Sequence, residues 1–192
     1  MELIQQIPDV AAYLRADEAI DHEHPLVREV AERLAAEHGS AYAYAQAAYE
    51  FVRDTITHSA DSGDPRVTWR ASDVLAHRTG ICHAKAHALV ALLRARSIPA
   101  ALCYQRFEVL HGLVAVKLPG RAVWARQDPR GNKPGIDARF ALDEERLAFP
   151  AGEESNGVDC PVLYAEPHPA VLDALRTAPD RSILMKTLPT QL

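Results

Sequence analysis

The sequence predicts an α+β fold in which N-terminal helices and a central buried helix pack on an antiparallel sheet. Three observations predict it. Apolar residues recur at helical spacing through the first half of the chain. One run, "CHAKAHALVALLR", is apolar around most of its circumference, as a helix in the middle of a core must be. After Pro99 the pattern changes to short runs of β-branched and aromatic residues separated by turn signals. Helices first and strands after them is the order of a segregated α+β domain.

In chain order, "VREVAERLAAEHG" places Val27, Val30, Ala31 and Leu34 on one helix face. Pro25 suits its first turn and Gly39 its end. "SAYAYAQAAYEFVRDTI" is a second helix with Ser40 as N-cap. "THSADSGDPRVTW" is a loop. "ASDVLAHRTG" is a short helix capped by Ser72 and closed by Gly80. The central helix follows and Pro99 bounds it. His83, His87 and Arg94 share its narrow polar strip, expected to face solvent or a neighbouring loop. "ALCYQRFEV", "HGLVAVKL" and "RAVWARQD" are strands, "PRGNKPG" is a loop and "IDARFAL" is a further strand. A proline-rich tail leads to a short helix near "PAVLDALRTA".

The 192 residues suffice for one domain with its own core, and no boundary is evident, so 1–192 is read as a single domain. The net charge of −5 gives no basis for nucleic acid or an acidic membrane surface as partner. No apolar run reaches the roughly 18 residues that span a bilayer. The N-terminus has acids where a signal peptide would carry lysines, so a cytoplasmic location is expected. The three cysteines, Cys82, Cys103 and Cys160, form no CxxC pair. Free thiols are expected, with no zinc knuckle, no thioredoxin motif and no cofactor.

The hairpin around Pro119-Gly120 carries a geometric argument. If the turn is centred there, Leu118 faces Arg121, Val116 faces Val123 and His111 faces Asp128. Opposed side chains share a face with Cβ atoms about 4.5–5.5 Å apart. An imidazole and a carboxylate would then meet, on a face shared with Leu113, Ala115, Trp124 and Arg126. A one-residue slip would send them to opposite faces. Taken singly, His111 is an ordinary strand-end residue and Asp128 a turn former before Pro129.

Cys82 opens the central helix just after Gly80. A helix N-terminus and a neighbouring imidazolium both lower a thiol pKa. Cys82 as nucleophile, His111 as base and Asp128 as orienter would make an acyl-transfer constellation. An alternative is a metal site at Cys82, His83 and His87, since residues four apart on a helix can grip one ion. Cys103 reads as a core residue, and Cys160 has no evident partner.

"TGICHAKAHALVALLRARSIPAALCYQ", "HGLVAV" and "WARQDPRGN" together resemble the transglutaminase-like superfamily, whose members share a papain-like α+β core. The resemblance covers Ser72 to Asn132. It implies Cys82 as nucleophile, His111 as base and Asp128 as orienting acid. It also implies a thioester with the acyl group of a protein, peptide or small amide substrate. Water resolves such a thioester by hydrolysis and an amine by crosslinking. The extra β-domains of the large crosslinking enzymes have no counterpart in this sequence, so hydrolysis of an amide or peptide bond is expected. A non-catalytic binding or scaffold module is the alternative, because some members have lost catalysis. Two positions depart from the family pattern. Ser97 stands where glycine is usual, and Gly112 stands where many relatives carry a larger residue. For the oxyanion, the backbone N–H of Cys82 is the first donor, and the second is left open between His58 and Trp69. Arg106, Arg126 and Arg130 surround the site in sequence and would favour an acidic group on the substrate.

Overall fold

The computed structural model of the protein describes residues 1–152 and 155–192. In chain order its elements are β1 (Ile4–Gln5), α1 (Pro25–Glu37), α2 (Ala41–Thr55), β2 (Thr57–His58), α3 (Ser59–Ser62), α4 (Ala71–His77), β3 (Thr79–Gly80), α5 (Cys82–Arg94), β4 (Ala100–Arg106), β5 (Leu110–Val116), β6 (Ala125–Gln127), β7 (Val158–Tyr164), α6 (Pro169–Thr177) and α7 (Arg181–Thr187). Five strands form one sheet in the order β1-β7-β4-β5-β6, antiparallel except where β1 runs along β7. The short strands β2 and β3 pair in parallel beside it.

The helical half follows its apolar periodicity. α1 buries Val27, Val30, Ala31 and Leu34, with Pro25 in its first turn. It ends at Glu37 because His38 turns extended (φ −134°), so Gly39 is not the left-handed stop expected of it. Ser40 caps α2, its Oγ accepting from Ala43 N at 3.1 Å. Ser72 does not cap α4. It lies inside the first turn, donating its hydroxyl to Asp21 Oδ2, and Arg78 (φ 51°) closes the helix in place of Gly80.

α5 is the axis of the molecule. Every one of its residues is buried, and α1, α2, α4, β4 and β5 pack around it. Leu89, Val90, Leu92 and Leu93 lie at 1% exposure or less. Each such side chain contributes about 1.5–3 kcal/mol of burial. Of the two settings expected for the polar strip, solvent and a neighbouring loop, the second holds: His87 meets the Trp69 carbonyl. Arg94 donates to the carbonyls of Arg15, Ala100 and Ala165, which replace the water it lost.

Strands β4 and β5 are buried on both faces, and the pleat divides their side chains. Leu102, Tyr104, Val114 and Val116 join the core around α5, while Ala101, Cys103, Leu113 and Ala115 join a smaller cluster with Tyr13 and Leu163. "IDARFAL" is not a strand. Its backbone groups bind side chains instead: Ala138 to Asn132, and Ala141 to Gln127. The tail contributes β7 and α7, which the sequence reading did not contain. β7 includes Pro161, which has no N–H for the ladder, and the register with β4 shifts beside it.

Candidate active site

The site begins where β3 runs into α5. The pairing of β2 with β3 sets His58 beside Gly80, two residues before Cys82. Gly80 admits no side chain, because a Cβ there would lie 2.9 Å from Ala84 Cβ and 3.0 Å from Thr68 Oγ1. Cys82 is the first residue of α5, after an Ile81 N-cap that has no side-chain acceptor. The first-turn N–H groups thus point their partial positive charge toward the thiol region.

His111 and Asp128 meet, by a register different from the simplest one. Val114 pairs with Gln127, Ala115 with Arg126 and Val116 with Ala125. The expected pairing is displaced by two residues, because the strands stop at Val116 and Ala125 and leave a wider loop. Within it Leu118 to Arg121 forms the turn natural to Pro-Gly, with Gly120 at φ 80° and Arg121 N bonded to Leu118 O. A shift of two preserves the face, whereas a shift of one would have inverted it. His111 Nε2 lies 2.8 Å from Asp128 Oδ2. The fully buried carboxylate also accepts from Ala148 N (3.0 Å) and Arg130 N (3.1 Å), which fixes its orientation. With Nε2 engaged, Nδ1 is the nitrogen left to exchange a proton.

Gly112 explains how the helix start reaches the histidine strand. A Cβ at Gly112 would lie 3.0 Å from His83 Cα and 2.9 Å from its Cδ2. The first turn of α5 therefore sits directly on the β5 backbone. The departure at Gly112 is matched by a bulky His83, which fills the space that a larger residue at 112 would take.

Cys82, His111, His58, Arg130, Phe107 and Phe149 border one cavity of about 400 Å³. Phe149 stands edge-on to the His111 ring, with centroids 5.2 Å apart. Burial disfavours the Cys82 thiolate, yet the positive fields of His83 and His111 and bonds from His111 and His58 hold its pKa well below the ordinary thiol value. Burial likewise disfavours an imidazolium at His111, but the charges of Asp128 and of the Cys82 thiolate raise it to about 10. Both shifts favour the same charged form, a thiolate beside an imidazolium. Cys103 behaves oppositely: burial pushes it up to about 12.

Two residues of α5 lie outside the triad read from the sequence, where His83 enters only the polar strip and the alternative metal site and Lys85 has no role. His83 Nδ1 lies 3.4 Å from Cys82 Sγ, and its buried Nε2 has no partner. Lys85, one turn on, is fully buried and donates to the carbonyls of Arg53 and Ile56, which tether the end of α2 just before His58. A lone lysine inside "HAKAHALV" was the available signal. Of the two oxyanion candidates, His58 lines the cavity and Trp69 does not. The Trp69 ring lies between the guanidinium groups of Arg70 and Arg176. The alternative metal site is not assembled. His87 Nδ1 lies 2.7 Å from Trp69 O, and among the described residues no three metal-ligating side chains converge. Burial also lowers the His87 pKa to about 4.

Residues 28–129 match the transglutaminase-like superfamily, more than half of the chain. The chain belongs to that superfamily. No curated protein matches it. Among solved structures it is similar to a candidate cysteine protease from Cytophaga hutchinsonii, at 21% identity and a TM-score of 0.55 over 65% of this chain and 43% of that one. It is also similar to the periplasmic domain of TgpA from Pseudomonas aeruginosa, at 22% identity and a TM-score of 0.50 over 65% of this chain and 48% of that one. The chain thus corresponds to less than half the length of either. These likenesses show the fold: a papain-like α+β core of the transglutaminase-like kind, with the central helix packed on an antiparallel sheet.

Proposed function

We propose that the protein hydrolyses an amide or peptide bond by acyl transfer through Cys82, with His111 as acid and base and Asp128 as the orienting carboxylate. The observation that carries this is His111 bonded at 2.8 Å to the fully buried Asp128, beside a cavity that Cys82 also borders at the start of α5. Cys82 Sγ attacks the carbonyl carbon, and the π electrons move to oxygen. The Cys82 N–H and the His58 ring are the donors assigned to that oxyanion. Collapse breaks the C–N bond, and His111 gives its proton to the departing amine. Water then attacks the thioester as His111 takes its proton. The C–S bond breaks, the acid leaves and the thiolate returns. An amine in place of water would give transfer, so the same chemistry covers both outcomes.

The test is mass spectrometry of the protein incubated with amide and peptide libraries. An acyl adduct on Cys82 that Cys82→Ala abolishes supports the proposal, and added primary amine reports whether water alone resolves the thioester. Iodoacetamide labelling of Cys82 no faster than of Cys160, with no adduct, would overturn it in favour of a scaffold.

A further inference from the structure

The sequence set three arginines around the site, and the structure separates them. Arg126 is taken up by Glu145 and Asp159. Arg106 is an exposed strand end. Arg130 alone borders the thiol cavity, and it also borders a second cavity of about 410 Å³. His58 is the other residue common to both, so these two side chains border both spaces.

The second cavity holds more positive charge than it neutralises. Arg53, Lys85, Arg130 and Lys133 line it, against the carboxylates of Asp54 and Asp61. Asp61 is divided between partners, accepting from Arg130 at 2.8 and 3.0 Å and from Lys133 Nζ at 2.7 Å. Lys133 therefore spends one of three donors, and its side chain is half exposed. His58 Nδ1 is buried without a hydrogen-bond partner, 3.9 Å from Asp61 Oδ2. Burial favours the protonated form of Asp61, yet Arg130 and Lys133 hold its pKa at about 2. Gly131, at φ 111°, keeps the space open beside Lys85, whose Nζ lies 3.4 Å from where a Cβ would stand.

We infer that this second cavity is a subsite for a carboxylate on the acyl donor, so that the preferred substrates are amides or peptides with an acidic group a few atoms from the scissile carbonyl. The inference rests on the acyl-transfer reading of Cys82 and names a substrate class for it. A monoanion fits better than a dianion such as phosphate, because Asp54 and Asp61 already offset two of the cations and burial lowers Lys85 to about 7, which leaves it only partly charged at neutral pH. Arg130 and His58, which border both spaces, would touch both the acidic group and the reacting end.

The experiment uses the mono-p-nitroanilides of succinic, glutaric and adipic acids beside their methyl esters, because aryl hemiesters of these acids cyclise unaided to reactive anhydrides. It follows p-nitroaniline release and the intact mass of the Cys82 adduct. At one chain length the free acid should acylate Cys82 at least tenfold faster than its methyl ester in kcat/KM. That ratio should fall with added salt and drop toward one in Lys133→Glu. Acylation at equal rates by both forms overturns the subsite and leaves the acyl-transfer reading standing. Absence of acylation by either form counts against acyl transfer. The subsite is then decided by calorimetry of Cys82→Ala with glutaric monoanilide and its methyl ester. Saturable binding of the acid alone, lost on adding Lys133→Glu, supports it. Equal binding, no binding, or equal displacement by inorganic phosphate overturns it.

Discussion

Replacing Asp128 by asparagine should uncouple the imidazole from the thiol. The carboxylate binds His111 at 2.8 Å in a fully buried setting. Against the effect of burial, Asp128 and the thiolate raise His111 from 6.5 to about 10. At about 1.4 kcal/mol per pH unit this is a preference for imidazolium of about 5 kcal/mol. Asp128 is the stronger of the two charges that raise it. Loss of that charge should lower the His111 pKa by roughly two units, or about 3 kcal/mol, and the Cys82 thiol should rise correspondingly. The carboxamide has one acceptor oxygen for three donors, so it must also turn an NH₂ toward one of them. The assay needs no substrate: the rate of Cys82 carbamidomethylation is followed by mass spectrometry from pH 5 to 11. The native protein should react at a plateau across neutral pH. In Asp128→Asn the midpoint should move up, with a slower reaction below it, because a weaker base at His111 supports the thiolate less. An unmoved midpoint, with the His111 ring titrating as before by NMR, would refute the coupling.

His83→Gln should also raise the thiol midpoint, because His83 is the largest favourable charge on Cys82 and touches its sulfur at 3.4 Å. A profile identical to native would mean that this contact is packing alone. Lys85→Met should alter how stability depends on pH. Burial lowers the folded-state pKa of Lys85 from 10.5 to about 7, so between those values the unfolded chain holds more protons and native stability rises with pH. The native-minus-variant difference in urea unfolding free energy should grow by several kcal/mol from pH 7 to 10, and a flat difference would sink the assignment. Ser97→Gly should stabilise the fold by about 0.5–1 kcal/mol, seen as a higher urea midpoint. Ser97 sits at φ 57°, where a side chain is strained, and glycine recovers more than its added chain entropy costs.

Periodicity made α1, α2 and α5 legible, since a face such as Val27, Val30, Ala31 and Leu34 is written in residue spacing alone. The segment "GVDCPVLY" hid a strand because Pro161 reads as a breaker, and only the neighbouring β4 shows that the missing N–H falls at a register shift. "IDARFAL" erred the other way. It has strand composition, but side chains from Asn132 and Gln127 satisfy its backbone before a ladder forms.

By itself the sequence determined that a cysteine opens a helix apolar around most of its circumference, and that a histidine and an aspartate share one face of the following hairpin. Parity along strands survives a register error of two. Only the tertiary structure decided what surrounds the sulfur. His58, His83 and Phe149 reach the site from β2, from the helix itself and from a distant loop. No periodicity encodes such meetings, because they depend on how closely α5 settles on β5, and the absent side chain of Gly112 sets that distance.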